Sequence, residues 1–254
     1  MIFNQFERLL ARRYLRAKRK EGFISVITGF AFTGIALGVA TLIIVMSVMN
    51  GFRAELLSRI LGISGHIGIV SAGGQPFNNY RQAVGEIEKF DNVESVFPMI
   101  EKQLLASSGR AAEGAMVRGM RKEDILNKET LKNGMLNVNM EEFAGNNVII
   151  GYRLALKMGL IPGDEITLIS PNGKITAFGT VPRMKSYRIA GTFELGMFEY
   201  DSNFIFMPLD TAQTFFGTGD AVTNIDVNLK DESKLKETRA AIEKSVEPGA
   251  YIFD

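Results

Sequence analysis

From Gly22 to Phe52 the chain runs for 31 residues without one Asp, Glu, Lys or Arg. About 20 apolar residues at roughly 1.5 Å rise cross a hydrocarbon core of about 30 Å, so a run of this length predicts a membrane-spanning helix. Hydrocarbon offers no partner to a backbone N–H or C=O, and a helix satisfies its own. A cleavable leader would have an apolar region of only about 7 to 15 residues before a small-residue cleavage site. The sequence therefore predicts a retained anchor.

Charge orients it. Residues 1–21 carry seven Lys and Arg against Glu7 and Glu21, a local charge of +5. By the positive-inside rule the N-terminus stays in the cytoplasm and roughly 200 following residues lie across the membrane. The whole chain carries +1, so the remainder carries −4, which excludes a broad basic face for nucleic acid.

The chain has no cysteine, which excludes a disulfide scaffold, a thiolate metal site and a cysteine nucleophile. Its single histidine, His66, is expected at an ordinary surface or interface position. One histidine and no cysteine cannot build a metal cluster, and no phosphate-binding Gly-x-x-x-x-Gly-Lys-Ser/Thr loop occurs. The paired carboxylates Glu123-Asp124 and Glu141-Glu142 are expected on solvated faces. No cofactor is expected, and an enzyme is the weakest class.

Periodicity supplies the elements. In residues 1–21, Phe6, Leu10 and Tyr14 recur every fourth residue, as do Arg8, Arg12, Arg16 and Lys20. This predicts an amphipathic elbow helix lying among cytoplasmic lipid headgroups, with a merely solvated basic leader as the alternative. Within the anchor, Gly34 and Gly38 form a small-xxx-small pair that would let another helix approach. Phe52, Leu56 and Ile60 keep helical spacing, so the anchor helix is expected over 22–62, extending beyond the bilayer.

The exported part is expected to be α+β. Strands at 66–70, 93–96, 100–107 and 115–119 and a helix at 79–90 are mirrored near the end by a strand at 225–229, a helix at 232–246 and a strand at 250–253. The stretches 63–119 and 223–254 are thus expected to form one β-α-β frame. The intervening 120–222 reads as an insertion with strands at 147–150, 165–169, 186–193 and 202–207 and helices at 152–158 and 208–216. Residues 170–183 stand out as a long loop bounded by Pro171 and Pro182, with Ile175 and Phe178 inside. A loop of this length is either an ordinary hairpin connection or a partner-binding element.

Several motifs resemble the LolC/LolE family of lipoprotein-releasing permeases, related to MacB and FtsX. They are Ser47-Val48-Met49-Asn50-Gly51-Phe52 with Glu55-Leu56 and Ile60-Leu61-Gly62; Leu160-Ile161-Pro162-Gly163-Asp164; and Gly191 through Asp201 followed by Pro208-Leu209. The resemblance covers essentially the whole chain. It implies a bacterial inner-membrane, non-catalytic subunit of a mechanotransmitting ABC transporter. The implied partners are a LolD-type cytoplasmic ATPase, a second permease subunit in a homodimer or LolC/LolE heterodimer, membrane lipids, lipoprotein substrates and the periplasmic chaperone LolA. It implies a Porter-like frame with a Sabre-like insertion. In the LolC type a proline-bounded hook captures LolA, matched here by Pro171, Ile175, Phe178 and Pro182, beside a basic pad matched by Arg183 and Lys185. Thr167 stands where LolC has another basic pad residue. The family has three further membrane helices, so a chain ending at Asp254 is expected to be a truncated permease. An FtsX-like signalling protein that controls cell-wall hydrolases is the alternative.

Overall fold

The computed structural model describes residues 6, 7, 9, 10, 13, 22–71, 76–176, 179–246 and 250–253. It divides into two compact units, Met1–Ser58 and Arg59–Asp254. Most of the leader, on which the elbow-helix reading rests, lies outside the described residues.

Helix α1 runs over Gly22–Ile63, and its Val26–Ile63 part is long and apolar enough to cross a membrane. Phe30, Phe32, Ile35 and Leu37 are exposed, an arrangement that suits lipid rather than water. The Thr33 and Thr41 hydroxyls donate to the carbonyls of Gly29 and Leu37, both at 2.8 Å, so neither needs an outside partner. A Cβ at Gly34 or Gly38 would meet nothing within 4 Å, so this face is open among the described residues.

Among the described residues of the second unit ten strands form a mixed sheet: β1 (Ile67–Ser71), β2 (Val93–Ser107), β3 (Ala112–Met120), β4 (Met135–Leu136), β5 (Asn147–Gly151), β6 (Glu165–Thr176), β7 (Gly179–Phe193), β8 (Phe204–Pro208), β9 (Asn224–Leu229) and β10 (Ala250–Phe253). Their order is β10-β1-β9-β2-β3-β8-β5-β7-β4, with β6 paired to β2 and β7. The helices are α2 (Tyr80–Ile87), α3 (Lys122–Asn127), α4 (Glu129–Gly134), α5 (Tyr152–Met158), α6 (Phe198–Asn203), α7 (Leu209–Phe216) and α8 (Leu235–Ser245).

Both sheet faces are covered. Successive side chains of a strand point to opposite faces, and the cores divide accordingly. Val148, Ile150, Ile205 and Met207 join one core, while Ile149 and Phe206 join the other with Ile63, Phe97 and Phe193. Near-continuous apolar runs such as Val148-Ile149-Ile150 are what strands covered on both sides require.

Three expectations change in the folded chain. Residues 93–107, read as two extended pieces, form one strand whose first half pairs with β9 and whose second half pairs with β3 and β6. Strand β3, assigned by sequence to the frame, pairs in parallel with β8 from the 120–222 stretch, so frame and insertion share one sheet. The third concerns residues 170–183, read as a loop: the described ones among them, 170–176 and 179–183, are strand. They extend β6 and β7 outward, pairing Lys174 with Val181, Ile175 with Thr180 and Thr176 with Gly179. The β-branched residues of these flanks favour a ladder, and pairing satisfies backbone groups that a loop would leave to water.

Candidate functional site

The hairpin of β6 and β7 has two ladders. The inner one runs from Glu165↔Arg188 to Ser170↔Arg183, and the register then shifts before Lys174↔Val181. Pro171, Asn172 and Gly173 therefore oppose Pro182 alone. Pro171 and Pro182 are exposed at this break. Ile175 lies on the outer ladder, but its side chain is outside the described residues, and Phe178 is wholly outside them.

Beside this break a groove of about 420 Å³ is lined by Val181, Pro182, Arg183, Met184, Lys185, Thr214 and Phe215. Val181 and Met184 expose 55% and 65% of their surface, so the groove has an apolar rim. The two residues that the resemblance matches to a pad behave differently. Lys185 is exposed, with its ammonium 5.2 Å from the centre of the Tyr187 ring. Arg183 is half-buried, and its Nη1 donates at 2.9 Å to the Phe215 carbonyl near the end of α7. Tyr187 is buried beneath them, and burial pushes its hydroxyl pKa up to about 12, so it stays neutral. Thr167 shares a 2.9 Å hydrogen bond with Ser186 opposite it in the ladder.

A second constellation, which the sequence did not single out, surrounds the end of α1. The last carbonyls of a helix lack intrahelical partners, and its C-terminus carries partial negative charge. Here the Ile60 carbonyl accepts from the Ser64 N–H at 2.8 Å. The Ile63 carbonyl accepts from Lys128 Nζ at 2.8 Å and Arg118 Nη1 at 3.2 Å, while the Ile63 side chain is wholly buried. Arg118, on β3, pairs at 2.6 Å with Glu101 directly opposite on β2. Lys128, between α3 and α4, lies 3.6 Å from Asp226 of β9 and 4.6 Å from the centre of the Phe97 ring. Asp226 also accepts from the Gly65 N–H at 3.2 Å.

Electrostatics makes this socket sensitive to any loss. Burial pulls the Lys128 pKa down to about 8, with Asp226 opposing the shift. Burial also opposes the Arg118 charge, yet Glu101 and Asp226 outweigh it and raise its pKa.

The motif Gly191–Asp201 builds one wall of the socket. Asp201, buried, accepts from the Leu195 N–H at 2.7 Å and holds the turn. The Tyr200 hydroxyl lies 3.3 Å from Ser64 Oγ, and its ring stacks on Phe204, whose ring lies under the Arg118 guanidinium. A lone Arg inside the apolar run Ala115-Met116-Val117-Arg118-Gly119-Met120 was the available sequence signal, since a charge in a buried strand demands a partner.

Other singled-out residues are structural. His66 Nδ1 accepts from the Leu229 N–H at 3.1 Å, leaving Nε2 to face Glu232 at 3.2 Å, so it staples β1 to the end of β9. Asp124, expected in solvent, is buried and accepts from Arg121 Nε at 2.7 Å and Nη2 at 2.9 Å. Burial nonetheless raises its pKa, against the pull of Arg121.

A family model described as the MacB-like periplasmic core domain matches residues 28–245. The lipoprotein-releasing system transmembrane protein LolC of Xylella fastidiosa is 34% identical over 91% of this chain and 55% of its own length. The protein LolE of Haemophilus influenzae, of the same system, is 27% identical over 86% of this chain and 54% of its own. The crystal structure of the periplasmic region of MacB from Actinobacillus actinomycetemcomitans superposes with a TM-score of 0.47 at 13% identity, covering 79% of this chain and 94% of that one. The chain thus spans about half the length of the curated relatives it matches. With the family model matched over most of its residues, the chain belongs to the MacB-like periplasmic core domain family, as a chain of LolC/LolE type.

Proposed function

We propose that this chain is the anchor and periplasmic part of a LolC-type permease subunit that releases outer-membrane lipoproteins from the inner membrane to a LolA-type carrier. Hydrolysis belongs to a separate LolD-type ATPase in the cytoplasm. The face of Gly34 and Gly38 packs against the second permease subunit. The frame and insertion correspond to the Porter-like and Sabre-like parts, and the anchor's N-terminus lies in the cytoplasm.

The observation that carries this reading is the β6–β7 hairpin, whose outer ladder continues past a proline-flanked break beside an apolar-rimmed groove. A strand extension with open edges offers main-chain groups and side chains together to a docking protein. Lys185 adds an exposed cation at the groove's edge. The socket around Ile63 supplies the coupling step, because a helix end held by two buried cations delivers its displacement to β2, β3 and β9 rather than dissipating it.

The test is the double substitution Ile175→Asp and Phe178→Asp in the full chain, measured by pull-down of purified LolA. Capture is expected to fall below detection while the melting temperature is unchanged. Undiminished capture would exclude the hairpin as the docking element.

A further inference from the structure

We propose that Arg183 is a positioning residue rather than a carrier contact: it locks the last inner rung of the β6–β7 hairpin to the end of α7, and the outer ladder is aimed from that fixed point. The inference rests on the reading of the hairpin as the docking element.

Arg183 pairs with Ser170, the final rung before the register shift, and Ser170 is buried. One residue further out the chain changes character. Three residues of β6 oppose the single Pro182, and neither Pro171 nor Pro182 has an N–H to donate to a ladder. Gly173 approaches the Val181 carbonyl so closely that a Cβ would overlap it, so the strands cross this point by backbone contact alone. Beyond the break stand three rungs, and a two-stranded ribbon of that size has little stability or direction of its own. Its orientation is inherited from the rung beneath.

That rung is tied down by Arg183. Its guanidinium donates to Phe215 at the electronegative end of α7. It also rests on Gly217, which at φ +68° ends the helix in the left-handed region and whose missing side chain leaves the seat free. Any Cβ there would overlap the guanidinium. Four residues inward on the same face, Tyr187 packs edge-on against Phe215 at 5.8 Å, so β7 meets α7 through two contacts. The Arg183 charge is spent on the helix end. Lys185, by contrast, presents its charge to solvent.

The chain has no cysteine, so spin labels can be placed cleanly. Nitroxides on Val181→Cys and Leu156→Cys, both exposed positions in the second unit, report the outer ladder against α5. In the full chain without carrier, the interspin distance distribution is expected to be narrow. Arg183→Met should broaden it at least twofold, Gly217→Ala should broaden it likewise, and Arg183→Lys, which keeps a donor, should restore most of the narrow distribution. Circular dichroism checks that each variant folds. Purified LolA should bind the Arg183→Met chain about tenfold more weakly through lost preorganisation, with an unchanged salt dependence; Lys185→Met should instead flatten that salt dependence. A distribution as narrow in folded Arg183→Met and Gly217→Ala chains as in the parent would overturn the proposal. A broadened distribution in a chain whose parent form does not bind LolA would leave the tether standing and remove the docking reading.

Discussion

At the scale of single residues, the socket around Ile63 illustrates why a buried charge is costly to lose and weak as a source of net stability. Arg118 has two charge-assisted contacts, to Glu101 and to the Ile63 carbonyl, at 5% side-chain exposure. Arg118→Met strands Glu101 and removes a helix-end donor, so chemical denaturation followed by circular dichroism should register a loss of about 3 to 5 kcal/mol. A loss under about 1 kcal/mol, the worth of an exposed pair, would mean that the socket is wet. Lys128 gives a pH signature. An unfolded lysine titrates near 10.5, and burial lowers this one to about 8. Between those values the unfolded chain holds a proton that the folded chain has released, so stability rises with pH through the window. The contribution is complete above about 10.5 and lost as pH falls through about 8. The stability difference between parent and Lys128→Met should therefore grow from pH 8 to 10.5; a flat difference would place the ammonium in solvent.

At the scale of elements, the turn from α1 to β1 is as constrained as the helix itself. A Cβ on Gly65 would lie 2.7 to 3.0 Å from the backbone of Val227, which is fixed in β9 between β1 and β2. Backbone in a central strand cannot yield as a side-chain tip can. Gly65→Ala should therefore cost about 1 to 3 kcal/mol, the range for overpacking, readable as a lower denaturation midpoint at unchanged slope. An unaltered midpoint would show that β9 gives way. The α3–α4 pair, which has no strong periodicity in the sequence, matters because Lys128 sits between its two short helices and reaches back to α1. His66 acts similarly at the other end of β9, where its ring joins two strands through the Leu229 N–H.

At the scale of the whole molecule, the proposed topology has a direct test. If the N-terminus is cytoplasmic, protease added outside intact spheroplasts should digest the Arg59–Asp254 unit and leave a short membrane-held fragment. Full protection of the larger unit would invert the orientation. The unit's own organisation follows from β2. At 15 residues it is long enough to pair with β9 along one half and with β3 and β6 along the other. One strand thereby joins the terminal frame to the inserted hairpin through continuous backbone hydrogen bonds, and Arg118, paired with Glu101 of that strand, ties it to the Ile63 carbonyl.

The sequence alone determined the long apolar helix, because an unbroken apolar run is a local feature, and most of the strand and helix order, because periods of 2 and 3.6 are local. It also marked residues 170–183 as unusual, from two prolines and two apolar side chains. Only the tertiary structure decided that this segment is a paired hairpin, that Arg183 turns into α7 while Lys185 faces water, and that Glu101, Arg118, Lys128 and Asp226 meet at one helix end. The physical reason is distance along the chain. A ladder partner, a desolvated ion pair or a capped carbonyl depends on groups far apart in the chain being brought together, as His66 and Leu229 are across 163 residues, and no local pattern records which of many possible partners will arrive.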